Sequence, residues 1–509
     1  MASTSLEGIQ FVAGEDGERS TTRANKAICS AALARVDPQA AQAAREEANW
    51  RKRYPRHLRA LTEAGIARPE HALAIASSGL AAAWVQVEFI RDGAAHTLAE
   101  AMRRPRPDAL FHVELCGQGP PAIEPWSLPY RGRRLQGEEL LAQVARWEGA
   151  GIIEPSHARA LRRVSAHPEW FDLSDRTLVL LGAGSEAGPL AALTRWRANI
   201  VAVDLPDRAR WERIAALVTR GNARLIAPVR QPVAPDAPLT QWAELAGADL
   251  LTQTPEIAAW LRSLDTPLDI AALAYLDGER HLRVSLAMDA IIATVSAARP
   301  ETTLMYMATP ADVFAVDEAL ARATMRNAAD ARPFGPLATG VLRGLSGGRL
   351  LQPHVRGLLD GGNGKRYGIV DGIFVEQGPN YALAKRLQQW RAITARAAGQ
   401  RVAINVTPST MTRSVIKNPA LKAGYDGADL FGIEIFEPET TSALMAALWV
   451  HDLRCDDCAA DPAYPLAHPL ELLTEGANHG GLWRCGFLPR TALPLAALVG
   501  YARGKLRRH

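Results

Sequence analysis

From Asp175 onward the chain alternates short apolar runs with amphipathic segments, and this alternation constrains the fold more than any other feature. "RTLVLLGAG", "NIVAVDL", "ARLIAPV", "LDIAALAYL" and "TTLMYMAT" read as strands. Their residues are apolar throughout rather than alternately, the pattern of strands buried on both faces. The segments between them, "EAGPLAALTRWRA", "RARWERIAALVTRG", "TPEIAAWLRSL" and "RVSLAMDAIIATVSAARP", read as helices. Strands and helices in repeated alternation predict an α/β fold, a Rossmann-like doubly wound parallel sheet. A glycine-rich stretch, 310–379, interrupts the pattern and reads as irregular. Helix "YALAKRLQQWRAITARAAG", strand "RVAINVTP" and helix "TTSALMAALWVHDL" then resume it.

At 509 residues the chain is too long for one ordinary core, so two domains are expected. The first, over 1–173, is mainly helical, with one candidate strand at 110–116. The second, over 174–509, is the α/β domain with the 310–379 insertion and a C-terminal lid and tail. The formal net charge is only +4, and no basic block precedes the last residues, which argues against nucleic acid as a partner. The N-terminus has no basic region leading into an apolar core, so a cytoplasmic protein is expected. Five cysteines, an odd number, read as reduced thiols. The apolar run Thr491–Ala502 is too short to span a membrane, which takes about 20 residues. With the basic "RGKLRRH" after it, the run suits docking on the core or peripheral contact with a membrane surface.

The first strand ends in Gly182-x-Gly184-x-x-x-Gly188. A strand that turns into a helix through glycines offers backbone amides and the positive end of a helix dipole to a phosphate. Asp204 stands at the end of the second strand, twenty-two residues after Gly182, where a carboxylate accepts ribose hydroxyls. A dinucleotide is therefore expected. Asp204 favours NAD over NADP by repelling a 2'-phosphate, while Arg208 and Arg210 follow closely enough to bind one. Methyltransferases that use S-adenosylmethionine share a glycine loop and an acidic residue, so the downstream chemistry must discriminate.

"YALAK" supplies that chemistry. Tyr381 and Lys385 share one helix face, and an ammonium beside a phenol stabilises the phenolate and makes the tyrosine a usable acid or base.

With "GAGSEAG", "YALAK" and "INVTPSTMTRS" on one sheet, the segment 175–453 resembles the short-chain dehydrogenase/reductase family. The resemblance implies a nicotinamide cofactor, NAD or NADP, held by Gly182, Gly184, Ser185, Gly188, Asp204, Gly278, Lys385, Pro408 and Thr412. Asp249 of "GADLLTQTPEIAAWL" would lie beside the adenine. It also implies that Tyr381 moves the proton, that Lys385 lowers the tyrosine pKa and holds the nicotinamide ribose, and that a hydroxyl orients the substrate carbonyl. The family's serine has no counterpart here, and Thr309, at the end of the fifth strand, takes its place. "AYLDG" stands where the family has Asn-Asn-Ala-Gly, and Ser409 replaces a glycine. The relay asparagine is missing, with Ser285 and Asp289 nearby.

The expected function is an NAD(P)-dependent oxidoreductase that interconverts a carbonyl and a hydroxyl on a small, hydrophobic molecule. A non-redox epimerase or lyase on the same fold, and a catalytically silent nucleotide-binding regulator, are the alternatives. By analogy, homo-oligomers through the helix bearing Tyr381 are expected. Apolar pieces such as "LFGIEIF" and "SALMAALWV" lie in the lid region, 411–480, and suit a greasy substrate. Cys455 and Cys458 form a C-x-x-C, but His468, His479 and Cys485 are too spread out to complete a metal site. The pair reads as two incidental thiols, and no metal is assigned.

Overall fold

The computed structural model describes residues 6–234 and 237–506. Strands β1 (Gly8–Phe11), β2 (Val87–Arg91) and β3 (Ala94–Thr97) form a small antiparallel sheet. Next come β4 (Phe111–Cys116) and the hairpin β5 (Leu128–Tyr130) and β6 (Arg133–Leu135). The expected parallel strands follow: β7 (Thr177–Leu181), β8 (Asn199–Val203), β9 (Arg224–Val229), β10 (Asp269–Ala272) and β11 (Thr303–Ala308). After them come β12 (Val313–Asp317), β13 (Leu358–Asp360), β14 (Arg366–Asp371) and finally β15 (Val402–Val406).

The central sheet runs β15-β11-β10-β7-β8-β9-β4. The six strands from β15 to β9 are parallel, and β4 closes the β9 edge antiparallel. Counting from β7 as the first parallel strand, this is the 6-5-4-1-2-3 order of a doubly wound dinucleotide fold, with its switch point between β7 and β10. Buried β7 and β15, without a single exposed residue, explain the unbroken apolar runs in their sequences. At the N-terminal end of the sheet, Arg176 grips Asp269 through both carboxylate oxygens, at 2.8 and 2.5 Å, and Thr303 donates to the same carboxylate. One buried acid thus ties the start of β7, β10 and β11 together.

Three expectations change. The 310–379 stretch is not irregular. It holds the antiparallel sheet β12-β14-β13 and two helices, Glu318–Ala329 and Gly335–Leu345. The segment after the glycine loop forms only one helical turn, Leu190–Leu193, because just sixteen residues separate Gly182 from β8 and Pro189 stands among them.

The third change concerns the N-terminal segment, which does not build a core of its own. Its candidate strand is β4, a member of the main sheet. Its residues Ile28, Trp50 and Leu58 share one core with Val179, Ile270 and Leu304 of the central strands. On the other sheet face, Leu140, Val144 and Leu161 pack with Leu178, Ala202 and Trp449. The boundary at 173/174 therefore separates no two interiors.

Helices Thr21–Leu33 and Pro69–Val85 lie on the helix Pro379–Ala397 that carries Tyr381. Gly79 lets this happen, since a side chain there would overlap the Trp390 ring. Nearby, Asn25 donates to Asn380 at 2.9 Å, and Trp84 donates to Asp289 at 2.7 Å. One face of the Tyr381 helix is thus covered by the chain's own N-terminal segment. At the other end of the chain, helix Pro489–Leu506 packs on helix Pro419–Asp426, with Leu498 and Tyr501 exposed.

Candidate active site

The loops that leave the C-terminal ends of the parallel strands meet at one edge of the sheet. Gly182 ends β7 with φ +97°, and a Cβ there would lie 2.5 Å from the Ala274 backbone beyond β10. Glycine is required at this point by the neighbouring strand, independently of any ligand. Gly182→Ala should lower the thermal unfolding midpoint clearly, with a cost of roughly 3 kcal/mol from the strained φ and the backbone overlap. Gly184→Ala should cost much less, because its Cβ would meet only the side chains of Asp204, at 3.0 Å, and Arg210, at 3.4 Å. Equal midpoints for the two variants would refute this assignment of the close approach.

The rest of the loop is held by its own bonds. Gly182 and Ala183 donate to Val203, Ser185 donates to Gly182, Gly188 donates to Ser185, and Gly184 donates to the Asp204 carboxylate at 2.6 Å. Asp204 also accepts from Leu205 and from Arg210, and it is buried. The expectation of a helix dipole aimed at phosphate is therefore corrected. The carboxylate is already bonded, and a single turn sums few peptide dipoles. Glu186 and Ala187 are the loop residues whose amides make no such bond. A cleft of about 360 Å³ opens beside Glu186, with Arg195, Arg210 and Arg213 on its walls. Arg208, by contrast, faces Glu212 and Glu244. Asp249 lies near the end of β8, its neighbour Ala248 donating to the Asp204 carbonyl, but its carboxylate caps the turn to Leu251. Gly278, exposed with φ +64°, begins the helix Glu279–Ala298.

After β15, Pro408 and Ser409 are buried, and Thr412 starts a short helix where its hydroxyl shares a hydrogen bond with Ser414. The Arg413 amide donates to Glu186 at 3.1 Å, which joins this loop to the glycine loop.

Tyr381, Thr309 and Lys385 are brought together. Thr309 lies beside the Tyr381 phenol, and Lys385 Nζ donates to the Met307 carbonyl at 3.0 Å and to Gln388 at 3.2 Å. Burial pushes the phenol above its ordinary range, while Thr309 pulls it partly back. The expected lowering by Lys385 is absent, because the ammonium is turned toward Met307 and Gln388. Burial instead lowers Lys385 itself, to about 8.

His281 and Tyr275 complete the cluster, and sequence reasoning missed both. His281 stacks on Tyr381 with ring centres 5.4 Å apart, and Tyr275 meets both rings. His281 is buried, and neither ring nitrogen has a partner among the described residues. Burial and the Lys385 charge hold it neutral, at about 3. Its one signal was position: it is the histidine in the first turn after "AYLDG". Of the two residues considered for the missing asparagine, Asp289 is committed to Arg391 and Trp84, and Ser285 is buried on the His281 helix without a partner among the described residues.

No protein-family model and no curated protein matches the chain. Among solved structures it is similar to a putative NAD(P)-dependent gluconate 5-dehydrogenase from Beutenbergia cavernae with bound NADP. The identity is 15%, the match covers 61% of this chain and 98% of that one, and the TM-score is 0.31. It is also similar to a gluconate 5-dehydrogenase from Burkholderia cenocepacia J2315 in complex with NADP and tartrate, at 13% identity, with the same coverage and TM-score.

Proposed function

We propose that the protein is an NAD(P)-dependent oxidoreductase that interconverts a carbonyl and a hydroxyl on a small apolar molecule. The observation that carries this reading is the meeting of Thr309, Tyr381 and Lys385, from separated segments, at the C-terminal edge of a 6-5-4-1-2-3 parallel sheet. In open α/β sheets, ligands bind outside that edge, at the switch point.

The residues fit a dinucleotide whose phosphates would rest on the Glu186 amide and on the guanidinium groups of Arg210 and Arg213. The Asp204–Arg210 pair offers a carboxylate to ribose hydroxyls and a cation to a 2'-phosphate, so it serves either nucleotide. When bound, the nicotinamide supplies or takes up a hydride. Tyr381 gives a proton to the substrate oxygen or removes one, Thr309 holds that oxygen, and His281 keeps the phenol ring in plane. Lys385 would return protons to Tyr381 by turning away from the Met307 carbonyl and Gln388.

Titration of the purified protein with NADH and NADPH tests the cofactor, and failure of both to bind removes the reading. The internally bonded glycine loop favours one second reading, a silent nucleotide-binding regulator. That alternative predicts nucleotide binding without turnover of any carbonyl substrate.

If Lys385 must carry its proton, carbonyl reduction should fall as pH rises through about 8, the value to which burial lowers this lysine. A pH profile of kcat/KM checks this. A flat profile to pH well above that value would exclude Lys385 from the relay.

A further inference from the structure

The helix Pro438–Arg454 ends where Cys455 caps it, with the Cys455 amide donating to the His451 carbonyl at 2.8 Å. His451 and Cys455 are thus one helical turn apart on one face. Cys458 follows in the next turn. The chain therefore spells H-x-x-x-C-x-x-C, and its local geometry gathers all three side chains: a ring nitrogen of His451 and the two sulfurs lie within 4.8 Å of one another. Tetrahedral ligands at the usual zinc distances stand about 3.4–3.8 Å apart, so closing on an ion takes only small shifts.

A further feature suits a metal. Asp452 accepts from His451 Nδ1 at 2.9 Å and is itself held by Asn405 at 2.7 Å. A carboxylate on one ring nitrogen fixes the tautomer and leaves Nε2 to coordinate, the usual outer support of a zinc-bound histidine. The cluster borders a second cleft, of about 380 Å³, which runs along the outer strand β15 and is lined by Arg159, Tyr464 and Glu475. Neither cleft nor cluster belongs to the Tyr381 site.

We infer that His451, Cys455 and Cys458 bind one zinc-class divalent ion through one nitrogen and two thiolate sulfurs, with the fourth corner open to the β15 cleft. The ion enters as two thiol protons leave to solvent, so the site needs no oxidant or reductant.

The test uses the full chain, reduced and stripped with a chelator. Zn²⁺ should bind at one equivalent per chain, and Co²⁺ should give a thiolate-to-metal charge-transfer band that vanishes in the Cys455→Ser/Cys458→Ser variant. Asp452→Asn should weaken binding about 10- to 100-fold. Alkylation of the wild-type protein provides a check that does not depend on any variant's folding. Zn²⁺ should shield the half-buried Cys458, while exposed Cys116 reacts with or without the ion. Clearly substoichiometric metal, an unshielded Cys458, a Co²⁺ band that survives the double substitution, or a Cys455–Cys458 disulfide in metal-free purified protein would each overturn the inference.

Discussion

Arg386→Met should destabilise the protein by about 3–5 kcal/mol, the scale on which breaking one side of a buried ion pair is felt. Arg386 donates to Asp312 at 2.7 Å and to the Val313 carbonyl at 3.0 Å, and Asp312 is fully buried. Gln389 and the Val313 amide hold the remaining carboxylate positions, but neither brings a charge. Burial already pushes the Asp312 carboxyl up against the pull of Arg386, and without the guanidinium only the Val313 amide and Gln389 are left to oppose it. A carboxyl whose folded pKa lies above its unfolded value, near 3.9, stabilises the fold below that value and loses the contribution as pH rises through the folded pKa. The deficit of Arg386→Met should therefore shrink on acidification. Denaturant midpoints at two pH values, for this variant and for Arg386→Met/Asp312→Leu, decide the matter. The double variant should recover part of the loss. A single variant as stable as the wild type would mean that the pair is not desolvated.

Tyr381→Phe should lower carbonyl turnover by about 10²- to 10⁴-fold, the usual contribution of a placed proton donor. Phenylalanine keeps the ring that stacks on His281 and meets Tyr275, so the fold and nucleotide binding should survive. The variant thus separates proton transfer from assembly of the site. Undiminished turnover, measured at saturating nucleotide, would remove Tyr381 from the chemistry and leave the cofactor reading intact.

Strand positions in the central sheet were readable because burial on both faces leaves an unambiguous apolar run. The connection after Gly182 was misread because "PLAALTRWRA" has helical spacing, whereas chain length and Pro189 allow only one turn. The three short strands of the insertion left no periodic trace among glycines. Docking of the N-terminal helices was invisible for another reason: an amphipathic helix shows that it buries a face but not against what. Gly79 beneath Trp390 links positions more than three hundred residues apart. The Tyr-x-x-x-Lys pair could be read from helical spacing, yet the direction in which Lys385 turns depends on the Met307 carbonyl. His281 had no pattern to announce it. His451 did, being four residues before Cys455, but the helix end had to be placed first.

The cover that helices Thr21–Leu33 and Pro69–Val85 lay over the Tyr381 helix changes how that helix is kept in place. A partner subunit supplies a packing surface only at the concentration of its own kind, and dilution removes it. A tethered segment supplies the same surface at an effective concentration set by the covalent chain, in the millimolar range for short flexible tethers. Here the support for the proposed proton-transfer residues is a first-order property of one molecule.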